Sequence, residues 1–161
     1  ARVAVDPGAL VFHGCSPFRG VARGGTPRPL RPVSSLTVLG GCVRVLIIED
    51  NQDAAEILRE VLEMYEHEVA VAHSGPDGVQ TARTFHPQVV LCDLGLPGMN
   101  GYEVASALRQ DPETCDARLV ALTGYSQADE RERARASGFE VHLTKPVGLE
   151  EIQRVLVGLT P

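Results

Sequence analysis

Lysine is almost missing from this chain. Of fifteen basic residues fourteen are arginine, and the single lysine is Lys145, directly before Pro146. A composition so biased toward arginine marks that one compact ammonium as kept for a specific job. Tryptophan is absent and aromatics make up 4% of residues, so any core must be aliphatic. The four cysteines, Cys15, Cys42, Cys92 and Cys115, form no C-x-x-C pair and no metal-ligand spacing, and a reducing, cytoplasmic setting is the simplest reading. No apolar run approaches the roughly 18 residues needed to cross a bilayer, so membrane insertion is not expected. Positive charge is also scarce where the chain is most regular. Residues 1–42 carry five arginines against one acid, a net +4, whereas residues 43–161 carry ten basic and twenty acidic residues, a net −10. A stretch that acidic is a poor candidate for direct nucleic-acid binding or for an anionic membrane surface.

Residues 1–42 hold seven glycines and five prolines with no sustained period, the composition of a disordered or linker extension. From Val43 onward the pattern becomes regular. Residues 43–48, 68–72, 89–92, 119–122 and 141–144 read as short strands, several of them apolar enough to be buried on both faces. Helical spacing follows each strand: a first helix capped by Asp50 or Asn51, then helices over about residues 75–85, 102–110, 128–137 and 149–159. In the first helix Ala54, Ile57, Leu58, Val61 and Leu62 make one apolar face. Met64 and Met99 read as packing residues, Cys92 as a small buried hydrophobe, and Arg131, Arg133 and Arg135 as a solvated helix face and, second, a partner surface. His13, His67, His73 and His86 lack ligand spacing and read as surface or loop residues. Five strands alternating with five helices predict an α/β fold, a doubly wound parallel sheet of flavodoxin-like (βα)5 type with strand order 2-1-3-4-5.

In a parallel sheet all carboxyl ends lie along one edge, where such folds bind ligands. Glu49 and Asp50 end the first strand, Asp93 the third, Thr123 the fourth and Lys145 the fifth; the second strand offers nothing obvious. Three neighbouring carboxylates cannot all stay ionised without a counter-charge. An oxygen-only, hard ligand set favours Mg2+ as that charge. A lysine and a hydroxyl beside it complete an inventory for phosphoryl transfer.

Four stretches then carry a resemblance. They are Val45 to Asn51, Val90 to Gly101 (VLCDLGLPGMNG), Ala121-Leu122-Thr123-Gly124, and Leu143-Thr144-Lys145-Pro146. In this order and spacing, residues 43–161 resemble the receiver domain of bacterial two-component response regulators. The wording around Asp93 and Thr123-Gly124-Tyr125 is most like receivers attached to hybrid sensor histidine kinases. The resemblance implies that Asp93 is the phosphoacceptor and that Mg2+ is bound by Asp50, Asp93 and the backbone carbonyl of Gly95, with Glu49 assisting. It implies that Thr123 and Lys145 contact the phosphoryl group and that Pro146 holds the loop after the last strand, through a cis peptide. Gly95 and Tyr125 occupy positions that tune phosphoryl lifetime in such domains. His142 departs from the pattern, which usually has Tyr or Phe there, so it is expected on the switch and partner surface, outside the chemistry.

The implied function is a phosphorylation-dependent signalling switch, not an enzyme beyond acting on its own phosphoryl group. The implied partners are a histidine kinase or histidine phosphotransfer protein and a downstream protein effector. Only sixteen residues follow Lys145, so output is expected through another protein or through a longer chain such as a hybrid kinase. Two rivals are an Mg2+-dependent aspartyl phosphohydrolase and a flavodoxin-like binding module. The first needs a second aspartate where Gly95 stands. The second needs a Ser/Thr/Gly-rich loop where Glu49-Asp50-Asn51-Gln52-Asp53 stands.

Overall fold

The computed structural model describes residues 41–124 and 128–157. Strands and helices alternate along them: β1 (Arg44–Ile48), α1 (Gln52–Met64), β2 (Glu68–Ala72), α2 (Gly75–Phe85), β3 (Val89–Asp93), α3 (Gly101–Gln110), β4 (Arg118–Thr123), α4 (Ala128–Ala136), β5 (Val141–Thr144) and α5 (Leu149–Val157). The five strands pair in the order β2-β1-β3-β4-β5, all parallel. Class, topology and element order therefore agree with the reading of the sequence. The differences are of one residue at strand and helix ends, and the expected end of the last helix at Leu159 lies outside the described residues.

The apolar runs explain which strands are central. Val45, Leu46, Ile47 and Ile48 of β1 and Val89, Val90 and Leu91 of β3 are fully buried. Their side chains alternate between two aliphatic layers. Leu46, Ile48 and Val90 meet Val104, Leu108 and Leu119 on one face. Val45, Ile47 and Leu91 meet Leu62, Ile152 and Leu156 on the other. Each such side chain contributes about 1.5–3 kcal/mol, and truncating Leu91 to alanine costs about 2–5 kcal/mol.

Helix starts are set by polar caps. Asn51 accepts from the Ala54 N–H and Ser74 from the Asp77 N–H. Asn100 and Glu103 form a reciprocal capping box at α3. Gly101 allows that helix start to seat against the site strand, because a Cβ there would strike the Asp93 carbonyl oxygen. α1 differs from expectation. Ala55 and Leu62 are its buried residues, while Ile57 and Met64 are 64% and 80% exposed and Ala54 is also exposed. The apolar face is wider than the core beneath it, so its outer edge stays open. Met99 does pack against the core, and Cys92 is buried in it. No helix among the described residues is long and apolar enough to cross a membrane.

Candidate functional site

The carboxyl edge of the sheet brings Glu49, Asp50, Asp93 and Lys145 together, and sets Thr123 beside them. β1 and β3 are neighbours, with Ile48 in register with Cys92, so the residues after them emerge side by side. Carboxylate oxygens of Glu49, Asp50 and Asp93 all lie within 4.8 Å of one another. Lys145 reaches in from the far side of β4. Its Nζ donates to Asp93 Oδ2 at 2.8 Å and to Glu49 Oε2 at 2.5 Å. Its backbone N–H donates to the Thr123 carbonyl at 2.7 Å, and the peptide to Pro146 is cis. The other Asp93 oxygen, Oδ1, accepts from the Gly95 N–H at 2.9 Å. Thr123 is buried at the end of β4, one residue past the Leu122 that faces Asp93 in register.

The three carboxylates are not equivalent. Glu49 is buried, Asp93 half-buried and Asp50 exposed. Burial drives the Glu49 carboxyl above the usual glutamate range, and the Asp93 charge adds to that; the hydrogen bond from Lys145 offsets only part. Lys145 shifts upward as well. Burial alone would lower it, but its hydrogen bonds and charge contacts with Asp93 and Glu49 outweigh that. The asymmetry is physical, since the lysine has two anionic partners while Glu49 shares one lysine with a competing carboxylate. Burial pushes the Cys92 thiol far up, so the sulfur beside the site stays protonated and inert.

Two features of this edge escape the sequence reading. The first is the pairing of Lys145 with Glu49 as well as Asp93. The second is His73, which follows β2 and whose Nδ1 donates to the Glu49 carbonyl at 3.0 Å. β2 thus contributes a residue after all. Its signal was its place after a strand, at the same sheet edge. His142 lies elsewhere: it pairs with Ala121 in the ladder and lines a small cleft with Arg131, Ala134, Arg135 and Phe139. It is half-buried, and its cleft shares no lining residue with the carboxylate cluster. Tyr125 lies outside the described residues. Arg131, Arg133 and Arg135 are exposed as expected, and Arg133 stacks over the Tyr102 ring, 4.3 Å from its centroid.

The donor set suits one kind of cation. Three carboxylates meet a single ammonium, every donor is oxygen, and one flank is open to solvent at Asp50. Hard divalent ions that retain water fit such a half-open site, Mg2+ foremost. A soft metal would find no thiolate here.

Comparisons with known proteins converge on one family. Residues 45–157 match the response regulator receiver domain. Protein PilH of Pseudomonas aeruginosa is 35% identical over 119 residues, covering 71% of this chain and 98% of that protein. The polar-differentiation response regulator DivK of Brucella ovis is 31% identical over 105 residues, covering 65% and 85%. Among solved structures, the receiver domain of a DNA-binding response regulator from Colwellia psychrerythraea superposes with a TM-score of 0.68 at 28% identity, covering 73% of this chain and 97% of that one.

Proposed function

Because the chain belongs to the response regulator receiver family of two-component signalling, we propose that it is a phosphorylation-controlled switch whose acceptor is Asp93. The carrying observation is the Asp93 carboxylate, 2.8 Å from Lys145 Nζ and clustered with Glu49 and Asp50. An Asp93 oxygen attacks the phosphorus of a phosphohistidine. A P–O bond forms, the P–N bond breaks, and its electron pair leaves on the imidazole, which takes up a proton. The product is an aspartyl phosphate, and water later returns the carboxylate and releases inorganic phosphate.

Mg2+ would be held by Asp50, Asp93 and the Gly95 carbonyl with Glu49 in support, and would neutralise charge on the transferred group. Lys145 is poised to exchange its contact with Asp93 for one with a phosphoryl oxygen. Thr123, one strand over, supplies a hydroxyl. Gly95 already fixes the acceptor through its N–H. The added charge of roughly −2 at neutral pH then biases the loops after β3 and β4, and His142 on β5 passes the change toward α4.

The open edge of α1 supports a docking role toward the phosphodonor. Ala54, Ile57, Leu58 and Val61 face Val147 and Leu149 across an apolar groove that opens beside Lys145 and Glu49. A helical histidine-bearing partner seated there would bring its phosphoimidazole to the site. Output to a downstream protein effector would use the α4 and β5 side. We place residues 1–42 outside the receiver domain as an extension.

Incubation with acetyl phosphate and Mg2+ tests the reading. Intact mass should rise by one phosphoryl group, and Asp93→Asn should abolish the gain. Labelling that persists in Asp93→Asn would overturn it. Ile57→Ser should slow transfer from a kinase while leaving acetyl phosphate labelling alone.

A further inference from the structure

We propose that His73 is a positioning residue for the cation site, holding the peptide that aims Asp50. This rests on the reading of the acidic cluster as a metal site given above. Asp50 is exposed, so its aim depends on the backbone that carries it. The two peptides before it are held in different ways. The Glu49 N–H belongs to the β ladder and donates to Ala72 at 3.0 Å. The Glu49 carbonyl, part of the Glu49–Asp50 peptide, lies beyond the ladder. There the ring of His73 takes over, with Nδ1 at 3.0 Å from that oxygen.

The chemistry of the contact is one-sided. A carbonyl oxygen only accepts, so Nδ1 must carry the proton, and it does so in the imidazolium and in one neutral tautomer. The contact therefore survives in either charge state. On the next residue, Asn51 is committed to capping α1, accepting from Ala54 at 3.1 Å. Its own N–H leans back on Glu49 Oε1 at 3.4 Å. Between the end of the ladder and the helix cap, His73 is the side chain that pins the turn from outside. Partners of this sort orient ligands without touching the metal, and losing one typically weakens binding about 10–100-fold. A single hydrogen bond to one backbone carbonyl should fall at the low end of that range.

The test measures Mg2+ affinity by calorimetry on the unphosphorylated full chain, with thermal melts taken without metal. His73→Ala should weaken Mg2+ binding about tenfold while the metal-free melt stays with the parent. His73→Asn, whose amide nitrogen occupies the place of Nδ1, should recover most of the affinity. Three results overturn the proposal: unchanged affinity in His73→Ala, a melt that falls in step with affinity, or no recovery in His73→Asn. If the parent fails to bind Mg2+, or if Asp50→Ala binds as the parent does, the metal-site reading itself falls along with this one.

Discussion

The two ends of the sheet both carry charged clusters, and they are built on opposite principles. At the carboxyl edge three carboxylates cluster, and one lysine pairs with two of them, Glu49 and Asp93. At the amino edge an arginine is saturated. Arg109, near the end of α3, donates to the carbonyls of Cys115 and Ala117 ahead of β4 and to that of Gly138 ahead of β5, and it also meets Glu140 at 2.8 Å. Arg118 adds a contact to Glu140 at 3.4 Å and one to the Val155 carbonyl of α5 at 3.2 Å. One guanidinium thus ties α3 to the turns ahead of β4 and β5. Among the described residues both of these arginines are paired, so that end holds the fold. The carboxyl edge keeps excess negative charge, a strained protonation balance and an open side, which is the condition for binding something. A charged cluster signals function by what it leaves unbalanced more than by its size.

Substitutions at the two ends should separate binding from stability. The largest effect is expected from Asp50→Ala, which should weaken Mg2+ by more than about a hundredfold, beyond the loss of an outer partner. Its denaturation midpoint without metal should stay near the parent's. A large loss of stability would merge the two edges into one structural role. The mirror case is Arg109→Ala. It strips donors from several carbonyls and should cost about 3 kcal/mol in urea unfolding, with Mg2+ affinity unmoved in the folded protein.

Gly138→Ala sharpens the same contrast at smaller scale. Gly138 has φ +106°, and an added Cβ would lie 2.6 Å from Arg109 Cγ, so about 1–2 kcal/mol should be lost to conformation and more to the clash. In an Arg109→Ala background the clash disappears, and a double-mutant cycle should show the two changes to be non-additive. Additive losses would mean that the turn does not rest on the arginine.

The smallest effect is in pH. The Glu49 carboxyl is raised in the folded state, so the native protein holds that proton more tightly than the unfolded chain. Its favourable contribution is complete below the ordinary glutamate range and lost as pH rises through the raised value. Mg2+ competes for the same oxygens, so its affinity should fall on acidification through that window, and Glu49→Gln should flatten the trend in calorimetry. An unchanged slope would remove Glu49 from the cation site. Lys145 is raised too; the stability it gives holds below the ordinary lysine range and fades only as pH climbs through the raised value.

Much of this was legible in the residues. The unbroken apolar runs at 45–48 and 89–91 required strands covered on both faces. The βα alternation then required a parallel sheet, and a parallel sheet places Glu49, Asp50, Asp93, Thr123 and Lys145 along one edge. What stayed hidden depends on direction and distance. That Ile57 and Met64 face outward follows from how wide a strip of α1 the core can cover, a property of neighbouring helices that periodicity does not contain. That Lys145 divides itself between Glu49 and Asp93 follows from the spacing of three adjacent strands. His73 looked like an ordinary loop histidine because its partner is a backbone carbonyl, which leaves no mark in sequence. By itself the sequence determined which residues occupy each strand end, because the periods of burial and turn chemistry are local. Only the tertiary structure decided which of them touch, because a hydrogen bond or ion pair is won or lost within an ångström, far finer than any pattern along the chain.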